Sequence, residues 1–146
     1  MGPGEAGEIC VRKPLMMKGY LNMPEQTAST ISNGWVLTGD VGYIDEEGFV
    51  YIVDRLKDMI ITGGENVFSG EVENAIARHP AIADVAVIGI PSAQWGEAVQ
   101  ALVVLRPGMQ ASEGDIIAHC KTLIAGYKCP KSVFFSKEPF PLSGAG

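Results

Sequence analysis

Two short charged segments carry side chains that could take part in hydrogen-bonding chemistry. Thr38-Gly39-Asp40 ends an apolar run, and Gly39 frees the backbone beside a carboxylate that could accept bonds from two sugar hydroxyls, as acidic residues do toward ribose. Residues 54–58 alternate in charge between two apolar runs, and Arg55 could act as a hydrogen-bonding fork on a ribose or a phosphate. An ordinary polar turn and a solvated connector are the alternative interpretations.

Glycines and aromatic residues mark three further positions that could meet a ligand. Gly63-Gly64 follows a short β-branched run, and a backbone without side chains lets a narrow ligand pass closely. Since no Gly-Lys-Ser/Thr follows, a Walker-type phosphate loop is excluded, and a tight turn is the alternative. Trp95 lies in a polar loop, where it could fill a gap in the core or stack on a ligand. Tyr127-Lys128 could contact a purine or a phosphate, or could form ordinary surface.

The other glycine-rich, histidine and cysteine residues do not form a site by their spacing. Residues 2–7 match G-x-G-x-x-G, but a strand rather than a helix follows them, so they are predicted to form a loop. His79 and His119 lie far apart and have no His or Cys at ligand spacing, so surface or helix-end positions and no metal site are predicted. Cys120 lies on an apolar helical stripe about 100° from His119, which excludes a nucleophile–base pair.

The composition excludes several classes of protein. The net charge of −6 and the scattered Lys and Arg residues argue against nucleic acid as a partner. The first residues have neither a basic region nor an apolar core, and the longest apolar run, residues 85–90, is too short to span a membrane. The three cysteines are odd in number and widely spaced, as expected of free thiols in a reducing compartment, which predicts a cytoplasmic location.

The elements that must position these residues differ between the two halves of the chain. Up to residue 54 the sequence alternates short strands with tight turns, and a short helix is predicted to begin at Pro24. Asn33-Gly34 is typical of a hairpin turn, and Gly48 can supply the positive φ that a second hairpin requires. The first half is therefore predicted to be a small strand-rich segment.

Beyond residue 58, strands alternate with amphipathic helices, which predicts a small α+β domain with a central sheet and two to three helices. Ser69 is predicted as the N-cap of one helix, which Pro80 ends. Ser112 and Asp115 predict a capping box for the next helix, and Gly126 is predicted as its C-cap. The predicted strands cover residues 59–62, 84–91, 97–105 and 132–135.

Taken in order, these segments resemble one protein family over nearly the whole chain. The motifs are Thr-Gly-Asp at 38–40, Asp-Arg-Leu-Lys-Asp at 54–58, Gly-Gly-Glu-Asn-Val at 63–67, Glu-Val-Glu at 71–73 and Trp-Gly-Glu at 95–97. The same order is typical of the carboxyl-terminal portion of the adenylate-forming acyl-CoA synthetases. The resemblance implies the tail of a large AMP-binding domain at residues 1–54, a hinge at 55–58 and a lid domain at 59–146.

The resemblance also implies a two-step reaction. A fatty or aryl acid reacts with ATP, in the presence of Mg²⁺, to give an acyl-adenylate, and the acyl group then passes to coenzyme A while the lid turns between two poses. Asp40 and Arg55 would bind the nucleotide ribose, and Lys57 would be the hinge residue. The residues implied in coenzyme A binding are Gly63, Gly64, Trp95 and Tyr127.

The end of the sequence departs from the family pattern. The family closes on a proline, a few residues and Gly-Lys, and residues 141–146 reproduce this motif without the lysine. The resemblance therefore implies that the adenylation lysine, which stabilises charge at the acyl carboxylate and α-phosphate, follows directly after Gly146. A fragment that lacks it is expected to be inactive by itself. Cys129 replaces an Arg found in some coenzyme A ligases, which leaves a phosphate contact there open.

Two other interpretations stay open. An adenylation domain that loads a carrier protein has the same architecture, although such domains usually carry Asp where this chain has Lys57. A stand-alone α+β binding module would have its own ligand, but the strands within residues 8–54 require a partner sheet. Exposed strand edges would favour self-association of the fragment. The acid substrate is not identifiable from these residues.

Overall fold

The computed structural model describes residues 2–12, 14 and 16–141. The chain divides into two compact units, Met1–Lys57 (the first unit) and Asp58–Gly146 (the second unit). Most of the closing motif, at residues 142–146, lies outside the described residues, so the interpretation of that motif stays a prediction. Within the described part, no helix combines the length and the apolar composition needed to cross a bilayer.

The described residues of the first unit form an antiparallel four-stranded sheet and one short helix. Its elements are β1 (Gly7–Val11), α1 (Pro24–Thr30), β2 (Ile31–Ser32), β3 (Trp35–Ile44) and β4 (Val50–Arg55). The long strand β3 pairs with each of the other three strands and is the centre of the sheet. Pro24 occupies the first turn of α1, which confirms the predicted start of that helix.

Two tight turns organise this sheet, and the sequence predicts both. Asn33 (φ 51°) and Gly34 (φ 78°) connect β2 to β3, and positive φ at both central residues is the geometry of a type I′ turn. Gly48 (φ 89°) lies in the turn between β3 and β4. Asp45 stabilises that turn, because its Oδ1 accepts two backbone N–H groups at 3.0 and 2.9 Å. Local sequence therefore specifies the hairpins of the first unit.

Within its described residues, 58–141, the second unit consists of a five-stranded sheet and two helices. Its elements are β5 (Ile60–Thr62), β6 (Glu65–Val67), α2 (Ser69–Ala77), β7 (Ile82–Ser92), β8 (Gly96–Leu105), α3 (Glu113–Lys121) and β9 (Ser132–Ser136). The strand order is β6-β5-β8-β7, and β9 also pairs with β8. The pair of β8 and β9 is parallel, and the others are antiparallel. The α+β class is thus confirmed, with two helices in the described part of this unit.

The hydrophobic core lies within the second unit. Val72 and Ile76 of α2 and Ile116 and Cys120 of α3 are fully buried, as the helical spacing of these residues predicts. They pack in one cluster with Ile60, Val67, Ile82, Val87, Val99, Ala101, Val103, Cys129 and Val133. Burying such side chains is the main stabilising term for a domain of this size.

The helix ends differ in part from the predicted ones. The N-cap of α2 is Phe68, and Ser69 is already the first helical residue, so the predicted N-cap is wrong by one position. Gly126 is not the C-cap of α3, because the helix ends at Lys121 and Thr122 is the C-cap. The Thr122 hydroxyl donates to the carbonyl of His119 at 2.7 Å, and this bond satisfies a helix-end acceptor without glycine.

The capping box of α3 is confirmed. Ser112 Oγ accepts the N–H of Asp115 at 3.2 Å, and Asp115 Oδ2 accepts the N–H of Ser112 at 2.9 Å. Strand β6 is not predicted by the sequence, because Glu65 and Asn66 are polar. Its conformation follows from antiparallel pairing with β5, a contact that a local pattern does not reveal.

Candidate functional site

The first unit brings Asp40 and Arg55 together. The two residues are direct partners in the antiparallel register of β3 and β4. Arg55 Nε lies 3.8 Å from Asp40 Oδ1, and the side chains are 65% and 37% exposed, respectively. An exposed pair at this distance contributes little to stability. Both side chains are therefore available to a ligand, and neither is required by a core.

A network of hydrogen bonds fixes the backbone around Asp40. Gly39 has a φ of 74°, and its N–H donates to Glu8 Oε1 at 3.1 Å. The Thr38 hydroxyl donates to the carbonyl of Ile9 at 2.8 Å and accepts the N–H of Asp40 at 3.0 Å. Glu8 is not predictable as a partner of Gly39 from the sequence motifs, because 31 positions separate the two residues and the pairing of β1 and β3 is irregular next to Glu8.

A cleft of about 520 Å³ opens beside this pair. Its lining consists of Thr38, Gly39, Asp40, Arg55, Leu56 and Lys57. Lys57 lies in a short 3₁₀ turn, Leu56–Asp58, directly at the boundary between the two units. The cleft therefore combines a carboxylate, a guanidinium and an ammonium group. Such a set can accept bonds from hydroxyl groups on one side and neutralise a negative charge on the other.

The second unit brings Gly63 and Trp95 together. Gly63 and Gly64 have φ values of 61° and 87° and form the two-residue turn between β5 and β6, as in a type I′ hairpin. The N–H of Gly63 donates to the carbonyl of Trp95 at 2.8 Å. A Cβ atom added to Gly63 would lie 3.1 Å from Trp95 Cε3, whereas one added to Gly64 would meet open space. The turn explains both glycines locally, and it also leaves free space at Gly64.

Tyr127 lies in the loop after α3, and the residue is 43% exposed. Lys128 does not point its charge freely to solvent, since Nζ lies 2.8 and 2.7 Å from the two carboxylate oxygens of Glu71 in α2. Lys128 Nζ is also 5.8 Å from the centroid of the Tyr127 ring. The Lys128 ammonium group is thus paired with an acidic side chain, and this pair ties the loop that carries Tyr127 to α2. Phosphate binding by Lys128 stays a prediction.

The two histidines approach each other although 40 positions separate them in the sequence. The centroids of the His79 and His119 rings are 5.2 Å apart in an edge-to-face arrangement. His79 Nδ1 accepts the N–H of Ala81 at 3.3 Å, and His119 Nε2 lies 3.2 Å from the carbonyl oxygen of Ala75. Both rings thus bond to backbone at helix ends, as predicted. Among the described residues, no group of three or more His, Cys, Asp or Glu could hold a metal ion.

The buried cysteines are poor nucleophiles. Burial raises the pKa of the Cys120 thiol to about 11, with a further contribution from the nearby Cys129. Burial also raises the pKa of Cys129. Cysteine acts as a nucleophile through its thiolate, so at neutral pH both side chains behave as core residues. The structure has all three cysteines as free thiols.

Comparison with known proteins places this geometry in a family. The AMP-binding enzyme C-terminal domain family matches residues 71–146. The chain is 49% identical over 136 residues to the long-chain-fatty-acid–CoA ligase of Bacillus subtilis, covering 93% of this chain and 24% of that protein. It is 46% identical to a feruloyl-CoA synthase of an Amycolatopsis species, covering 99% of this chain and 29% of that protein.

Solved structures agree with the sequence comparison. ATP-bound MatB of Rhodopseudomonas palustris superposes with a TM-score of 0.91 at 40% identity, over the whole of this chain and 29% of that protein. The o-succinylbenzoate CoA synthetase of Bacillus subtilis, in complex with its acyl-adenylate intermediate, gives a TM-score of 0.86 at 40% identity, over 94% of this chain and 28% of that protein. The chain thus spans only 24–29% of the length of these relatives. By sequence and by fold, it belongs to the family of AMP-binding enzyme C-terminal domains.

Proposed function

We propose that this chain is the carboxyl-terminal part of an AMP-forming acid–thiol ligase. The whole protein would join a carboxylic acid to AMP at the expense of ATP, with release of pyrophosphate, and would then transfer the acyl group to coenzyme A. Support comes from relatives that are named coenzyme A ligases and from related structures that hold ATP, AMP or an acyl-adenylate. The proposed substrate is a fatty or aryl acid.

The pairing of Asp40 and Arg55 beside the cleft is the observation that carries this proposal. The Asp40 carboxylate can accept bonds from two ribose hydroxyls, and the Arg55 guanidinium can donate to a ribose oxygen or to a phosphate. A carboxylate that accepts two hydroxyls is the same device that dinucleotide-binding sites use for ribose. The Glu8–Gly39 bond would keep Asp40 in place while the nucleotide binds.

Lys57 is proposed as the residue about which the chain turns between the two half-reactions. In this proposal residues 1–54 are the tail of the AMP-binding domain, residues 55–58 the hinge and residues 59–146 the lid domain. A hinge requires a few terminal residues of elements that can change their backbone torsions. The short 3₁₀ turn Leu56–Asp58 between two compact units suits that requirement.

Coenzyme A would bind along the second unit in the thioester-forming step. The open space at Gly64 would admit the pantetheine arm, and the exposed faces of Trp95 and Tyr127 would contact the cofactor. Mg²⁺ is proposed to bind together with the ATP phosphates, whose charge it neutralises in phosphoryl chemistry. A cytoplasmic location is kept as part of the proposal, since the cysteines are free thiols.

The proposal is tested with the full-length protein and this 146-residue chain side by side. The full-length protein is expected to form AMP, pyrophosphate and an acyl-CoA from ATP, a fatty or aryl acid and coenzyme A. The chain alone is expected to release no pyrophosphate. Asp40→Asn in the full-length protein should raise the KM for ATP about tenfold, which is the effect of losing one charged hydrogen bond. The exposed Glu46→Gln in a neighbouring turn is the matched control and should leave that KM unchanged.

Two results would contradict this assignment. Turnover by the purified chain would contradict its inactivity, and an unchanged KM for ATP in Asp40→Asn would remove the nucleotide assignment. The acceptor is tested in the same assay by comparing free coenzyme A with a phosphopantetheinyl carrier protein. Preferential loading of the carrier would favour the adenylation-domain interpretation instead.

The assignment of the open space at Gly64 to a tunnel for the pantetheine arm, here called the tunnel assignment, predicts a selective effect at Gly64. Gly64→Leu in the full-length protein should slow thioester formation about tenfold or more and slow adenylation little, because the side chain would fill the space reserved for pantetheine. Gly64→Asn separates crowding from backbone strain, since Asn tolerates positive φ better than Leu does. The matched control is Gly108→Asn, because Gly108 also has a positive φ of 77° and also faces open space. An equal loss in both half-reactions would remove the tunnel assignment.

A further inference from the structure

A carboxylate replaces a missing backbone acceptor beside the Gly63-Gly64 turn. Strands β5 and β8 share a single ladder pair, Thr62 with Gly96. Next to that pair, the N–H of Ile61 donates to Glu97 Oε2 at 2.8 Å. The side chain of Glu97 thus extends a very short strand pairing by one more bond. A bond from N–H to a carboxylate is stronger than one to a neutral carbonyl.

Three successive residues of one hairpin are bound to three successive residues of another. On one side, Ile61 bonds to Glu97 and Thr62 pairs with Gly96. Gly63 continues the series, because its N–H donates to the Trp95 carbonyl at 2.8 Å and its Cα faces the Trp95 ring. The end of β5 and the first residue of its turn are therefore held against the start of β8 and the residue before it.

Gly89 gives Glu97 the space for its carboxylate. Gly89 has no positive φ, so the backbone conformation does not require glycine there. A Cβ atom at this position would lie 3.1 Å from Glu97 Oε1 and 3.2 Å from the Ile60 side chain. Glycine inside a strand is unfavourable unless another group approaches closely. Here the approaching group is the Glu97 carboxylate, which lies on the same sheet face as the core residue Val99.

We propose that Glu97 is a positioning residue for thioester formation. Its carboxylate would hold Ile61, and through it the Gly63-Gly64 turn and Trp95, in the geometry that admits the pantetheine thiol. The proposal rests on the proposed function, since it assigns the turn to the path of coenzyme A. Glu97 itself takes no part in the chemical step, because one carboxylate oxygen is occupied by Ile61 and the other lies against Gly89.

Substitutions at Glu97 in the full-length protein test this role. Glu97→Ala should slow single-turnover thioester formation from preformed acyl-adenylate about tenfold, which corresponds to the loss of one hydrogen bond to a charged group. Acid-dependent exchange of pyrophosphate into ATP should change less than twofold. Glu97→Gln should restore most of the thioester rate, because its amide oxygen can still accept the N–H of Ile61.

Glu113 provides a matched control. Its Oε2 accepts the N–H of Val133 at 2.9 Å, so it makes the same kind of carboxylate–backbone bond in the same unit, at strand β9. Glu113→Ala should therefore affect both half-reactions alike, through stability only. Amide hydrogen exchange of peptides covering residues 59–68 adds a readout independent of activity. We expect faster exchange there in Glu97→Ala but not in Glu113→Ala.

The outcomes separate failure of this inference from failure of the proposed function. Equal loss of both half-reactions in Glu97→Ala, or no loss in either, would overturn the positioning role, and so would a Glu97→Gln variant as slow as Glu97→Ala. Gly64→Leu is measured in parallel. If Gly64→Leu leaves thioester formation intact, the tunnel assignment fails and the positioning role in catalysis fails with it. If Gly64→Leu slows thioester formation and Glu97→Ala does not, only the inference about Glu97 fails.

Discussion

The two units of this chain are stabilised in different ways. In the second unit, helices α2 and α3 bury a continuous apolar cluster against one sheet. In the first unit, Val41 is the only buried hydrophobic side chain among the described residues. Three successive residues of β4, Val50, Tyr51 and Ile52, are 56%, 45% and 69% exposed. The first unit therefore depends on backbone pairing and turn geometry, whereas the second depends on burial.

The candidate sites of the two units differ in a corresponding way, because one is formed within a single hairpin and the other where two hairpins meet. The first unit presents Asp40 and Arg55 as neighbouring residues of one strand pair, an arrangement that the hairpin register alone produces. The second unit presents Gly63 and Trp95 from two hairpins that meet only because the sheet is assembled. Defects in the core should therefore disturb the second site more than the first.

The largest expected effect is the loss of stability caused by a core substitution in the second unit. Ile76→Ala should lower the free energy of unfolding by about 2–5 kcal/mol, because a fully buried side chain leaves a cavity. Ile52→Ala in the first unit should change it by less than about 0.5 kcal/mol, because the side chain is mostly exposed. Urea denaturation of the 146-residue chain measures both.

The two tryptophans allow the units to be followed separately. Trp35 lies in the first unit and Trp95 in the second, and the chain has no others. In a Trp35→Phe background the fluorescence of Trp95 should show the full effect of Ile76→Ala. In a Trp95→Phe background the signal of Trp35 should report the first unit. If Ile52→Ala proved as destabilising as Ile76→Ala, the contrast between the units would be lost.

The sequence predicts the parts of the fold that are determined locally. Asn33-Gly34 specifies its turn because few residue pairs accept positive φ twice, and Ser112 with Asp115 specifies a helix start because the two bonds lie within four residues. Asp40 and Arg55 are candidates for the same reason, since each belongs to a short motif. Their direct pairing across β3 and β4 is a result that only the structure supplies.

Contacts between distant positions are not predictable in this way. The bond from Gly39 to Glu8 spans 31 positions, and the bond from Ile61 to Glu97 spans 36. Both depend on strand register and side-chain direction, which a single sequence does not fix. A local pattern can also predict a feature that does not form. Gly126 is a plausible C-cap by its sequence, but the C-cap is Thr122, whose hydroxyl bonds to the His119 carbonyl.

The smallest expected effect is a change in the acid dependence of stability. It is followed by comparing one aspartate in each unit, Asp45 in the first and Asp115 in the second. Ser112 donates its hydroxyl and its N–H to Asp115, and these bonds lower the pKa of Asp115 below its usual value of 3.8. Desolvation raises the pKa of Asp45, but hydrogen bonds, chiefly from Phe49 and Tyr51, outweigh it and lower the pKa below 3.8. Because each aspartate has a lower pKa in the folded state than in the unfolded state, its ionised form stabilises the fold. This contribution to the free energy of unfolding is complete above pH 3.8. It is lost as the pH falls through the folded value.

Ser112→Ala separates the two contributions. It should cost about 1 kcal/mol of stability at neutral pH through loss of the cap. It should also weaken the acid dependence of the second unit below pH 3.8, because without Ser112 the pKa of Asp115 returns toward that of the unfolded chain. The hydrogen bonds that lower the pKa of Asp45 come from residues 47–51 of its own turn, so the acid dependence reported by Trp35 should stay the same. Urea titrations at pH 3 and pH 7 in the two single-tryptophan backgrounds measure this. An equal change at both tryptophans would mean that the units unfold as one, and that the core of the second unit stabilises the sheet of the first.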